Sequence, residues 1–147
     1  MVAHLIKILA GQGYRVAAIK HAAHGYDMDI PGKDSWQHFK AGAQKVMVVG
    51  PDSLSTHERF VTEPSLSSIL EQIQVGQDLD LILVEGFKNE PGPKIQVIRD
   101  KGAAYPDWDV DLIATVSDDP FKDGVPHYSL EKLEQLAAFL VEKYLQK

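Results

Sequence analysis

The chain contains no cysteine, which excludes disulfides and thiolate metal sites. No apolar run approaches the ~18 residues of a membrane span. A basic excess is also missing: the formal net charge is -6 over 147 residues, with both signs spread along the sequence. That argues against a general nucleic-acid binder, which carries a basic patch or stripe. One bound nucleotide stays compatible, because backbone N–H groups hold phosphate without net basicity. His4 and Lys7 interrupt the apolar residues of the N-terminus, unlike a signal peptide, so a cytoplasmic protein is expected. There is no assembled Ser/His/Asp or Cys/His framework to support an unrelated hydrolase, and no internal repeat, low-complexity tract or linker.

What is present is an ordinary globular composition, 44% hydrophobic and 24% charged, over a length that fits one domain spanning 1–147. Val2, Leu5, Ile6 and Leu9 recur at helical spacing, with Gly11 and Gly13 as stop signals. Arg15 to Lys20 reads as a strand, His21 to Asp34 as a polar loop, and Ser35 to Gly42 as a short helix capped by Asp34 or Ser35. Lys45 to Val49 is a second strand, closed by Gly50-Pro51, and Thr56 to Thr62 a further extended segment. Leu66, Ile69, Leu70 and Ile73 mark a helix. Leu79 to Val84, Ile95 to Ile98 and Leu112 to Val116 are three more strands, and Ser129 caps a last helix with the stripe Leu133, Leu136, Ala137, Leu140, Val141 and Tyr144. Strands alternate with helices, and those around Leu83 and Ile113 are apolar on both faces. The pattern predicts an α/β fold in which helices cover a mostly parallel sheet. The opening helix has no strand before it, so the sheet it covers is one member short.

Three stretches carry chemistry. In D-L-I-L-V-E-G-F, Glu85 stands at the carboxyl end of the most apolar strand, where α/β sheets bind ligands. A carboxylate there holds Mg²⁺ directly or through water, beside a phosphate, and Gly86 lets the backbone pass close to a ligand. The plainer reading is a solvated acid in a turn. In I-K-H-A-A-H-G-Y-D-M-D-I-P-G-K-D-S, Lys20, His21, His24, Asp27, Asp29, Lys33, Asp34 and Ser35 crowd one loop after a strand, which suits a phosphate or metal site. His21, His24 and Asp27 are candidate transition-metal ligands, though no further His completes the set. A surface loop with Asx-turns at Asp27 and Asp29 accounts for the same residues. In A-T-V-S-D, the Asp118 carboxylate is an acceptor fork suited to the N1–H and N2–H₂ of guanine; Ser117 to Pro120 also reads as a plain turn.

Taken together, RVAAIKHAAHGYDMDIPGKDS, KAGAQKVMVVG, DLILVEGFKNEPGPKIQVIRD and LIATVSDDP resemble, in order and spacing, the MobB family of molybdopterin-guanine dinucleotide biosynthesis adapter proteins. The resemblance runs from about Val2 to the last helix. It implies a three-layer P-loop NTPase-like fold with helices on both faces of the sheet, a homodimer, binding of GTP and Mg²⁺, and weak GTP hydrolysis. It also implies a role in assisting the guanylyltransferase MobA, with molybdoenzymes or their chaperones as further partners. On that basis Glu85, with Asp34, is expected at the metal. Lys20, His21, Asp27, Asp29, Lys33, Asp34, Ser35 and Gly86 are expected around the phosphates or at a partner surface, and Asp118 at the guanine.

The family begins with a strand and a P-loop, G-x-x-x-x-G-K-[ST], before the helix matched here by Val2 to Ala10. No such motif occurs in these 147 residues, and Gly11-Gln12-Gly13 precedes a strand, so it cannot open a helix at a phosphate. The expectation is a chain shortened at its N-terminus relative to the family. Without the phosphate cradle, nucleotide affinity is expected to fall about a thousandfold or more. The alternative function is a nucleotide-independent adapter that docks MobA or a molybdoenzyme through the same surfaces.

Overall fold

The structure is a computed structural model, and it describes residues 1–26, 29–98, 111–119 and 124–145. Along the chain these form α1 (Val2–Gly11), β1 (Val16–Lys20), α2 (Asp34–Lys40), β2 (Lys45–Val49), β3 (Leu54–Glu58), α3 (Leu66–Gln74), β4 (Leu81–Glu85), β5 (Lys94–Val97), β6 (Leu112–Val116) and β7 (His127–Tyr128). A 3₁₀ turn, Leu130–Lys132, then leads into α4 (Leu133–Tyr144). The result is an α/β architecture with parallel strand pairing. Two compact units account for it, one formed by Met1–His21 and Ile73–Lys147, the other by Ala22–Gln72.

In the first unit, α1 buries Leu5 and Leu9 completely, while Val2 and Ile6 on the same stripe are half-buried. Its end is a Schellman motif. Gly13 adopts φ +89, its amide donates to the Ala10 carbonyl, and the Tyr14 amide reaches back to Leu9. Of the two expected glycine stops, Gly13 therefore supplies the left-handed residue that this closure requires. The chain turns into β1, which pairs in parallel with β4 from Val16↔Leu81 to Lys20↔Glu85. A second parallel ladder runs β5–β6–β7. Among the described residues no ladder joins β4 to β5, so the single sheet expected from the sequence is divided.

Both ladders share one core. Leu5 and Leu9 of α1, Ala114 and Val116 of β6, and Leu133, Leu136 and Ala137 of α4 form its buried centre, with Val16, Leu81, Leu83, Ile95 and Val97 packed against it. Each large side chain there contributes about 2–5 kcal/mol by the cost of its truncation to alanine. Ser129 precedes the 3₁₀ turn and makes no side-chain capping bond. Its expected role as cap of the last helix is therefore corrected: the turn intervenes, and α4 itself starts at Leu133.

In the second unit, β2 and β3 form an antiparallel hairpin, Lys45↔Glu58 to Val49↔Leu54, closed by the Gly50 amide on the Ser53 carbonyl at 2.8 Å. The extended segment expected at Thr56 to Thr62 is thus shifted toward Leu54, because the short Gly-Pro-Asp-Ser loop starts the return strand at once. Helix α2 packs on β2. Its N-cap is Lys33, with no side-chain cap; Asp34 is already helical, and the Ser35 hydroxyl serves Asp29 instead of the helix end. Arg59 fastens the helix to the hairpin. It donates to the carbonyls of Phe39 (2.5 Å) and Ala43 (3.2 Å) and lies 3.8 Å from the Phe39 ring centroid.

Candidate functional site

Glu85 is the last residue of β4, and the parallel register sets it beside Lys20, the last residue of β1. Two charged side chains at the ends of apolar strands emerge where the strands leave the core. The Lys20 Nζ lies 3.1 Å from Glu85 Oε1, with the two side chains 70% and 53% exposed. At that exposure the pair adds little stability, which leaves both charges available to a ligand.

The backbone after Glu85 is tightly constrained. The His21 amide donates to the Glu85 carbonyl at 2.8 Å. Gly86 follows at φ +95 and Phe87 at φ +50, a left-handed pair in which Phe87, a bulky residue, is held against its preference. The His21 imidazole stacks on the Phe87 ring, 4.3 Å between centroids and 22° between planes. Ring stacking and the amide bond together fix the point at which Glu85 leaves the sheet. The sequence signal for Phe87 is an aromatic directly after the Glu-Gly pair.

Asp118 is exposed in the turn after β6, and its neighbours hold that turn. Buried Ser117 donates its hydroxyl to the Asp119 carbonyl at 2.6 Å and its amide to Tyr128. Thr115, fully buried, lies with Oγ1 3.2 Å from His127 Nδ1. Burial also pushes the Tyr128 phenol above its ordinary pKa, with Glu142 adding to the effect.

The second unit gathers most of the loop residues picked out in the sequence. Asp29 accepts the Ser35 hydroxyl and, at 2.7 Å, the Ile30 amide. The Ser35 bond, then the Ile30 bond, hold the Asp29 carboxyl below its usual range, helped by His57 and Lys33. Asp29, Lys33, Asp34, Ser35, His38 and His57 line one concave pocket of about 710 Å³, with Val46 and Val48 among its apolar residues. His57 Nδ1 is buried and, among the described residues, has no hydrogen-bond partner, a state costing on the order of 1–3 kcal/mol if nothing joins it. His57 and His38 escaped the sequence reading. The available signal was the hairpin register, which pairs His57 with buried Val46.

The expected residues thus divide between units. Lys20, His21, Glu85, Gly86 and Asp118 belong to the first; Asp29, Lys33, Asp34 and Ser35 belong to the second. Asp27 lies outside the described residues. Among the described residues no three His, Asp or Glu side chains converge as a metal-binding group, and no helix is long and apolar enough to cross a membrane.

Comparison with known proteins gives a consistent picture. Residues 1–118 match the MobB family, described as molybdopterin guanine dinucleotide synthesis protein B. The chain is 38% identical to the molybdopterin-guanine dinucleotide biosynthesis adapter protein of Escherichia coli (strain K12), over 97% of this chain and 83% of that protein. It is 31% identical to the protein of the same description from Haemophilus influenzae, over 92% and 76%. Among solved structures it superposes on a crystal structure of molybdopterin-guanine biosynthesis protein B with a TM-score of 0.77 and 26% identity, covering 96% of this chain and 88% of that one.

Proposed function

The chain belongs to the MobB family, and from that membership we propose that it is an adapter in molybdopterin-guanine dinucleotide biosynthesis that binds GTP with Mg²⁺ and assists the guanylyltransferase MobA. The observation that carries the nucleotide reading is the Lys20–Glu85 pair, 3.1 Å apart at the carboxyl ends of β1 and β4. Mg²⁺ in nucleotide sites takes one or two protein carboxylates and completes its shell with phosphate oxygens and water. A lone exposed carboxylate fits that need, so Glu85 would hold the ion and Lys20 would meet the phosphates as a point charge. The ion supplies charge neutralisation at the phosphates. Asp118, on its anchored turn, is the candidate for the guanine edge.

The second reading is a nucleotide-independent adapter. One observation favours it: Lys20 already neutralises Glu85. Titration of isotope-labelled chain with GTP, with and without Mg²⁺, separates the two. The nucleotide reading expects Mg²⁺-dependent NMR shifts at Lys20, Gly86 and Asp118, saturating at about millimolar GTP, and loss of the Mg²⁺ dependence in Glu85→Gln. No shift at those amides leaves the adapter reading standing alone.

Either reading is compatible with a cytoplasmic homodimer. The support for self-association is the hairpin face formed by Met47, Val49 and Leu54, which are 54%, 76% and 58% exposed. A two-stranded hairpin is marginal by itself and gains from a cover on its open face.

A further inference from the structure

We propose that the pocket of the second unit binds the 2-amino-4-oxopyrimidine edge of a fused heterocycle, pterin or guanine, with the Asp29 carboxylate accepting the ring N–H and the exocyclic amine. The inference rests on the reading that the chain serves synthesis of molybdopterin guanine dinucleotide, a molecule containing both rings. Pterin and guanine present the same adjacent pair of donors, and a carboxylate is the acceptor fork that matches it.

Asp29 is prepared for this. The Ser35 hydroxyl and the Ile30 amide each take one lone pair of its two oxygens, leaving acceptor capacity on both, since a carboxylate has about four lone-pair sites. Those same bonds favour the ionised form. The pocket volume of about 710 Å³ suits a bicyclic ring with a phosphorylated substituent. Cross-strand pairing puts Val46 opposite His57 and Val48 opposite Ser55, so the two valines and the imidazole share one face of the hairpin, with apolar surface for a ring. Lys33, close enough to act on the Asp29 charge, disfavours a cationic guest and suits the phosphate that both ring systems carry.

The test uses the full chain without Mg²⁺ or GTP, titrated separately with 6-hydroxymethylpterin, GMP, lumazine and AMP. Lumazine keeps the pteridine but replaces the 2-amino group with an oxygen; AMP lacks the edge altogether. Pterin or GMP is expected to bind at least about tenfold tighter than its control, and Asp29→Asn to erase that preference. Preference for pterin alone assigns the pterin half, for GMP alone the guanine half, and for both the shared edge. Equal binding of pterin and lumazine together with equal binding of GMP and AMP overturns the proposal, as does failure of both pterin and GMP to saturate by millimolar concentration. An Asp29→Asn chain that folds and keeps the preference also overturns it; if that variant does not fold, an Asp118→Asn chain that keeps the preference supports the second-unit pocket, and one that loses it overturns the proposal. Because Glu85 and Mg²⁺ take no part, this outcome is separable from that of the GTP titration.

Discussion

Gly86 and His21 approach so closely that a Cβ on the glycine would stand 2.7 Å from the His21 Cβ and 3.3 Å from its carbonyl oxygen. The glycine also sits at φ +95, where an L side chain is strained by roughly 1–2 kcal/mol before any clash. Gly86→Ala is therefore expected to cost at least about 2 kcal/mol, read as a lower urea midpoint. The damage should centre on the β1–β4 ends, seen as lost amide protection at His21. An unchanged midpoint would show that the two strand ends relax apart without penalty.

Arg15 bridges two acids of very different standing. Its backbone amide and its guanidinium both reach Asp80, at 2.8 and 3.3 Å, and the Asp80 side chain is only 13% exposed. Asp78, the other partner, is 87% exposed. Asp80→Ala should measurably lower the thermal midpoint, because it strips the acceptor from a backbone amide as well as from the guanidinium. Asp78→Ala should leave the midpoint nearly unmoved. Equal effects would mean that the ion pairs, and not the backbone bond, dominate the clamp.

Arg59 is predicted to govern the second unit's hairpin. Arg59→Ala removes a guanidinium packed on Phe39 and two bonds, to the Phe39 carbonyl at the helix end and to the Ala43 carbonyl beyond it, a loss of about 1–2 kcal/mol. Hydrogen exchange at Lys45–Val49 is the sensitive readout, and Arg59→Lys should recover only part of the protection, since an ammonium cannot form the flat two-pronged contact.

The pH response of Asp29 follows from its bonds. Its folded pKa is depressed, so it stabilises the folded chain above the ordinary carboxylate value of about 3.9. That contribution fades as pH falls from there through the lower folded value. Removing the Ser35 hydroxyl in Ser35→Ala should move the Asp29 titration upward, toward the ordinary value, as followed by its carboxyl carbon signal. No movement would mean that the Ser35 bond does not set it and that Ile30, His57 and Lys33 do.

Much of the element order was legible because the signals were local. Leu5 and Leu9 mark one face of α1, Gly13 ends it, and the unbroken apolar run before Glu85 marks β4. The strand ends were legible too: Glu85 and Lys20 were picked out individually, but their adjacency depends on a parallel register between residues 65 apart, which no local pattern encodes. The same limit hid His57. Its relation to Asp29 arises only once a four-residue loop folds β3 back on β2. The cap expected at Asp34 or Ser35 rests on propensity alone; Asp34 is itself helical, and Asp29 offers the Ser35 hydroxyl a charged acceptor, so the stronger bond wins. Short β7 has only two residues, too few for any periodicity to reveal.

The last rung of the β1–β4 ladder has one more implication. With an ammonium and a carboxylate side by side and open to water, the spot is neutral at long range and dipolar at short range. A solitary anion meets only Lys20, and a solitary cation meets only Glu85. Only a visitor bringing both signs at once, as a metal–polyphosphate salt does, satisfies both side chains in one event. On the nucleotide reading, that is the visitor this rung would meet with both of its side chains.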